Sequence, residues 1–195
     1  MYIASPGRNP LILALVKCAS YFFTLHYRLF YSGRVTFGKN FITDWRLRIS
    51  GPGNVSFGDN LFAWARKEPN IIRTFDPKAT IIIGDNVRLN GAEIQASTSI
   101  TIEKNCILGS VNIMDTDSHS IAIDRATNPD ALVVKKPIHI KENVWVAGRS
   151  SVLRGVTIGR NSVIGYGSVV REDIPDNVVV IGNPAQVVKK VPGTE

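Results

Sequence analysis

Three histidines, His26, His119 and His139, are the side chains of this 195-residue chain best suited to exchange protons near neutral pH. His119 stands in the polar, turn-rich stretch MDTDSHSI, with Asp117 two residues before it and Asp115 four before it. An imidazole so placed can take a proton from a hydroxyl, and a nearby carboxylate can hold the ring and stabilise the imidazolium. Read alone, a loop histidine is as readily a solvated group, and the two aspartates a solvated acidic corner. Asp115 and Asp117 are rivals for the supporting place. His139 lies between Ile138 and Ile140, so in an extended strand with Ile140 inward it points out and reads as a solvated face residue. His26 falls in an apolar helix-like stretch and reads as structural. His119 and His139 offer no compact metal triad, and Cys18 and Cys106 lack zinc-site spacing. No Ser or Cys stands in a convincing nucleophile setting.

The stretch that must position these groups runs from Ile140 to Ile174 and divides as IKENVW VAGRSS VLRGVT IGRNSV IGYGSV VREDI. Ile140, Val146, Val152, Ile158, Ile164 and Val170 each open a six-residue unit. Six fits no helix face, because at about 100° per residue successive members point in three directions. An even period keeps the same side of a strand. One straight strand from Ile140 to Val170 would run about 100 Å at roughly 3.3 Å per residue, so the chain bends after nearly every unit. Gly148, Gly155, Gly165 and Gly167 help it do so. Six residues per side and a few sides per turn describe a β-solenoid.

An apolar residue, usually Gly, any residue, then Asn recurs as FGKN, FGDN, IGDN, IEKN, IKEN and IGRN, at intervals of 20, 26, 19, 38 and 18 residues. The smallest is three times six, which predicts three-sided coils of about 18 residues. Asn40, Asn60, Asn86, Asn105, Asn143 and Asn161 then occupy equivalent corners, where Asn tolerates left-handed backbone angles. The longest interval predicts a loop at about 115–137 with His119 at its entrance, and loops of that length are often functional. The 26-residue interval predicts a smaller, basic rim within ARKEPNIIRTFDPK.

Residues 10–31, PLILALVKCASYFFTLHYRLFY, read as the one helix. Leu11, Leu15, Cys18, Phe22, Leu25 and Leu29 follow a three-four spacing, and Ile12, Val16, Phe23, Tyr27 and Phe30 leave the other face apolar too. Lys17, His26 and Arg28 make it a poor spanning segment, and no cleavage site follows it. Packing against the solenoid or a neighbouring subunit is the first reading, and interfacial membrane contact the second. Either way the helix would cap the open edge of the first coil. The organisation is thus a helical segment 1–34, a solenoid 35–175 and a capping segment 176–195.

The 23 Lys and Arg against 16 Asp and Glu give a net charge of +7. A phosphate-bearing cofactor or an anionic membrane suits that charge. Nucleic acid does not, because there is no basic helix, no recognisable module and no interleaving of aromatics with Lys and Arg. The cysteine pattern implies no disulfide framework and suits a reducing compartment, the cytoplasm, with the inner face of a membrane as an alternative address.

The segment ENVWVAGRSSVLRGVTIGRNSVIGYGSVVREDIPDNVVVIGNPAQVV, in register with the earlier repeats, resembles the C-terminal signature of the hexapeptide-repeat acyltransferases. The resemblance spans about residues 37–188 and is closest to maltose/galactoside and polysaccharide O-acetyltransferases. It implies an all-β fold, a left-handed parallel β-helix with an N-terminal helix and a protruding loop, assembled as a homotrimer with sites in the clefts between neighbouring helices. It implies an acetyl-CoA-dependent O-acetyltransferase with a saccharide or lipid-linked saccharide acceptor and no metal. Three-histidine carbonic-anhydrase relatives of the same fold do not match. MDTDSHSI resembles the segment carrying the family's catalytic histidine, which gives His119 the role of general base. Asn112 matches an Asn near the acceptor hydroxyl, or else forms a corner. Trp145 matches a contact near the thioester end of the cofactor, and Gly148 and Tyr166 match contacts along its pantetheine arm. Tyr166 stands where Ala is usual, and Gln186 where Arg is frequent. Lys189 and Lys190 remain available for the ADP phosphates. Amino-sugar N-acetylation, serine or antibiotic acetylation, and a non-catalytic scaffold are the alternatives. Ice binding is not indicated, because no face carries a regular Thr array.

Overall fold

The computed structural model describes residues 10–31, 33–65 and 67–193. Residues 1–9 and Ser32 of the N-terminal segment, 194–195 of the capping segment, Arg66 of the expected rim and the side chains of Pro10, Ile12 and Leu13 lie outside what is described. One helix, α1 (Pro10–Phe30), precedes the solenoid. The coils follow as β1 (Val35–Phe37), β2 (Ile42–Thr43) and β3 (Leu47–Ser50); β4 (Asn54–Phe57), β5 (Phe62–Ala63) and β6 (Asn70–Thr74); β7 (Thr80–Ile83), β8 (Arg88–Leu89) and β9 (Glu93–Ala96). Then come β10 (Ser99–Ile102), β11 (Ile107–Leu108) and β12 (Asn112–Met114); β13 (Ile138–Ile140), β14 (Trp145–Val146) and β15 (Ser151–Val152); β16 (Thr157–Ile158), β17 (Val163–Ile164) and β18 (Val169–Val170). A seventh coil is made by a bridge from Ile174 to Ile158 and by β19 (Val178–Ile181), on which β20 (Gln186–Lys190) folds back antiparallel.

Every third strand joins the same sheet, so three parallel sheets close a β-helix: β1-β4-β7-β10-β13-β16, β2-β5-β8-β11-β14-β17-β19 and β3-β6-β9-β12-β15-β18. Register keeps like over like. Val35, Val55, Ile81, Ile100 and Ile138 form one inward column, and Ile49, Ile72, Ile94, Ile113, Val152 and Val170 another. Ile140, Val146, Val152, Ile158, Ile164 and Val170, the residues that open the six-residue units, are all fully buried. Burial of these columns supplies the main stabilisation, since each buried aliphatic side chain contributes about 1.5–3 kcal/mol.

The corners are as the spacing predicts. Asn40, Asn60, Asn86, Asn105, Asn143 and Asn161 have φ between 54° and 64°, and Asn177 joins them at 62°. Their side chains also pair between coils, with Asn143 Nδ2 donating to Asn161 Oδ1 at 2.9 Å and Asn161 Nδ2 to Asn177 Oδ1 at 2.7 Å. The glycine of the signature answers to space. A Cβ on Gly38 would stand 2.4 Å from the carbonyl carbon of Gly58 directly below it.

The 26-residue interval departs from expectation. Its centre is strand, β6, and the extra residues divide between the corners on either side of it. Asn70 explains the bend before β6. Although buried, it is satisfied, donating to Ala63 O and accepting from Gly91 N and Ala92 N.

α1 closes the open edge of the first coil with its hydroxyl-bearing side. Ser20 Oγ donates to Thr43 O and accepts from Thr43 N, Tyr27 Oη donates to Leu47 O, and Tyr31 Oη donates to Ile49 O. The stripe through Leu11, Leu15, Phe22 and Leu29 faces away from the solenoid. The cause is chemical: a coil edge presents unpaired N–H and C=O groups, which hydroxyls satisfy and aliphatic side chains do not.

Candidate functional site

The 115–137 loop leaves the solenoid between β12 and β13 and is pinched at its neck. Thr116 bridges Lys135 antiparallel, Asp117 N donates to Val134 O, and Lys136 N donates to Asp115 O. Asp115 is fully buried and accepts from Ser97 N, Thr98 N and Thr98 Oγ1, each at 2.7 Å. All three donors lie at the β9–β10 corner of the preceding coil, so Asp115 anchors the neck and is spent as a ring partner.

Asp117 reaches the other way. Its Oδ1 accepts from Arg154 Nε at 2.6 Å, which ties the neck to the corner after β15 in the following coil. Its contact with His119 is through the main chain, His119 N donating to Asp117 O at 2.7 Å. Ser118 between them is left-handed, φ 61°, and its hydroxyl rests 3.4 Å from Met114 Sδ. That kink presents His119 exposed at the corner, and no partner to its ring is found among the described residues.

Asn112 is no corner residue. It sits in β12 on the outward side, in register with Glu93 and Ser151, and Met114 follows on the same side. Its Oδ1 is buried and without a hydrogen-bond partner among the described residues. An orphan acceptor costs about 1–3 kcal/mol, so its retention calls for an explanation. The outer face of β12 thus leads from Asn112 through Met114 to Ser118 and on to His119.

The expected cofactor contacts lie on the adjoining sheet and corner. Trp145 is on the outer face of β14 and 49% exposed. Trp145, Val163, Val179 and Lys189 are successive register partners, which places Lys189 three strand steps, roughly 14 Å, from Trp145 along the surface. Lys190 pairs with Val178 and is exposed with Lys189, while Gln186 pairs with Ile181 on the same strand. A chain with an apolar end and a phosphate end fits such a row. Gly148 follows β14, and a Cβ on it would stand 3.5 Å from the ring of Tyr166. The ring of Tyr166 lies beside the glycine, with the guanidinium of Arg149 5.9 Å from the ring centroid. An arm passing Gly148 must therefore run over the tyrosine or move it.

Trp145 with the 148–149 corner and the His119 loop flank the sheet that carries Asn112 and Ser151. Spacing alone did not reveal Arg149 or Arg154. Arg149 stands with a left-handed φ of 57° at a corner where the signature places no Asn, so the structure and not the repeat reveals it. His139 does point outward, but its Nε2 lies 2.7 Å from Glu103 Oε1, so it is paired and not merely solvated. His26 is exposed and packs against Phe30, ring centroids 4.7 Å apart and the planes tilted by 39°. Cys106 is buried with its thiol pushed up to about 11, chiefly by burial, and is no nucleophile. No group of three or more potential metal ligands occurs among the described residues.

Residues 137–172 match the family model for the bacterial transferase hexapeptide, six repeats. This is a hexapeptide-repeat chain. Galactoside O-acetyltransferase of Lactococcus lactis is 40% identical to it over 94 residues, 48% of this chain and 44% of the relative. The hexapeptide-repeat chain spans 44–59% of the length of the first curated relatives it matches. Among solved structures, a hexapeptide-repeat acetyltransferase of Vibrio cholerae complexed with acetyl coenzyme A superposes with TM-score 0.57 at 23% identity, covering 95% of this chain and 91% of that one. AntD, an N-acyltransferase from Bacillus cereus in complex with dTDP and coenzyme A, superposes with TM-score 0.63 at 18% identity, covering 80% and 84%. These likenesses show the fold.

Proposed function

We propose that the chain is an acetyl-CoA-dependent O-acetyltransferase acting on a sugar hydroxyl, in surface polysaccharide or lipid-linked saccharide synthesis at the cytoplasmic side of a membrane. The observation that carries this reading is an exposed His119 on the loop that leaves β12, together with an unsatisfied Asn112 Oδ1 on the outer side of that strand. A base able to take a hydroxyl proton and a buried acceptor able to orient that hydroxyl are what the acceptor half of the reaction requires. His119 draws the proton as the acceptor oxygen attacks, and its imidazolium keeps that proton available to the leaving sulfur. Asp117 acts as a positioning residue, because through Arg154 it fixes the neck that presents His119. Acetyl-CoA, when bound, supplies the acetyl group as a thioester. Trp145 would hold its thiol end, and Lys189 and Lys190 its phosphates, with Gly148 and Tyr166 along the arm between. In this reading three copies associate, and each acceptor site is completed in a cleft between neighbouring solenoids.

A second reading, transfer to an amino sugar, is favoured by the likeness to the N-acyltransferase AntD, one of whose structures holds dTDP-4-amino-4,6-dideoxyglucose with coenzyme A. An amine acceptor also needs a proton removed, so His119 serves both. The 40% identity to a galactoside O-acetyltransferase puts the hydroxyl first.

Incubation with acetyl-CoA and a panel of sugars, nucleotide sugars, amino sugars and amino acids tests both. Acceptor-dependent thiol release that is lost in His119→Ala supports the transferase, and the active acceptor separates oxygen from nitrogen. No release, together with no binding of acetyl-CoA by calorimetry, returns the chain to a non-catalytic scaffold.

A further inference from the structure

Charge is unevenly placed along the chain. Residues 10–50 hold six Lys and Arg against a single acid, Asp44, and so carry +5 of the whole chain's +7. Asp44 is buried, and its carboxylate is turned to its own corner, accepting from Arg46 N at 3.0 Å. This basic end is also the apolar end. On α1, Leu15 and Phe22 are 63% and 70% exposed and share the outward side with Leu11, Cys18 and Leu29. Lys17 and Arg28, eleven residues apart, fall about 20° from each other on one flank of that stripe. No acidic residue occurs anywhere in the helix. Beside it Trp45 is 65% exposed, stacked on by Arg46, and borders a groove of about 450 Å³ that Phe23 closes from the helix side.

We infer that this end of the solenoid docks on an anionic lipid bilayer, with α1 lying in the interface and its leucine and phenylalanine stripe turned into the acyl boundary. An apolar stripe flanked by cations, with an exposed tryptophan at the same level, is the pattern of a helix that lies on a membrane. No described helix is long and apolar enough to cross one. A second copy is the poorer occupant. A two-fold contact through this face would set two ends of +5 against each other, and like charges across an interface oppose association. Anionic headgroups neutralise the same charge. The inference goes beyond the transferase reading and does not depend on it.

Co-sedimentation of the full chain with vesicles is the test. Binding to vesicles containing phosphatidylglycerol, absent with phosphatidylcholine alone and lost in high salt, is expected. Leu15→Ser/Phe22→Ser should weaken it at least tenfold with an unchanged Tm, since neither side chain is buried on the solenoid. Lys17→Ala should weaken it about fivefold. No binding by the wild type, equal binding to neutral vesicles, or full binding by the double variant overturns the inference. So does a fall in sedimentation mass in the double variant, which would mean that another copy covers the face. Thiol release with a soluble acceptor, followed in parallel without vesicles, should be the same in wild type and double variant. Its failure would count against the transferase reading alone.

Discussion

Arg154 Nε donates to Asp117 Oδ1 at 2.6 Å, joining residues 37 apart in the chain and one coil apart in space. The pair holds the neck of the 115–137 loop from one side, while Asp115 holds it from the other. Two residues beyond Asp117, His119 inherits its position from both. The pair is about a third exposed, so its worth to global stability is small, about 0.2–1 kcal/mol. Arg154→Ala should therefore lower kcat about tenfold while hardly moving Tm. Steady-state rates beside a melting curve decide it. Unchanged kcat would reduce the pair to surface decoration.

His119→Ala should lower kcat by about 10²–10⁴-fold and leave KM nearly alone. Its side chain is exposed, so denaturant midpoints should match the wild type. A variant that keeps half of its activity would remove the imidazole from the chemistry.

Asp115→Ala tests the anchor by a different readout. It orphans Ser97 N, Thr98 N and the Thr98 hydroxyl, at about 1–3 kcal/mol for each group left dry. A drop of several kcal/mol in urea unfolding is expected, with faster proteolysis within 115–137. Wild-type stability would mean that water takes the carboxylate's place without loss.

The corners offer a cleaner backbone test. Asn143 has φ 58° and donates to Asn161. Asn143→Ala forces an alanine into the left-handed region at about 1–2 kcal/mol, and Asn143→Gly should recover most of that. Equal losses in the two variants would assign the cost to the side-chain pair and not to the backbone.

The corners and the 115–137 loop were legible because a solenoid imposes a strict count, and any departure from that count is a loop. The interval of 26 residues misled because two short insertions at successive corners sum like one. NIIRT reads as a strand only once Asn70 is seen to satisfy the bend before it. Nor could spacing tell which side of α1 faces inward. Both sides are apolar, and the choice falls to Ser20, Tyr27 and Tyr31 meeting backbone groups of β2 and β3. Arg154 with Asp117, and Glu103 with His139, join different coils, and contacts of that kind have no local signature.

Cys106 makes a prediction about alkaline pH. Burial raises its thiol from 9.0 to about 11. The unfolded chain ionises first, so between about pH 9 and 11 it binds fewer protons than the folded one, and stability falls as pH rises. Up to about 3 kcal/mol is at stake. Denaturant titrations at pH 8 and above should show this decline in wild type and a flatter limb in Cys106→Ala. In the native protein a thiol reagent should modify the exposed Cys18 quickly and reach Cys106 only on unfolding.

α1 also bears on what the chain must not become. Each coil pairs its backbone with the coil above and the coil below by the same parallel register, so the last unpaired rung is a template for another. Ser20, Tyr27 and Tyr31 occupy the rung at one end, and β20 turns back over the flank of the seventh coil at the other. Stripped of that plug, the first coil would offer a flat, regular seed onto which the tail of a neighbouring molecule could lengthen the stack, and a bounded particle would become the first segment of a fibre.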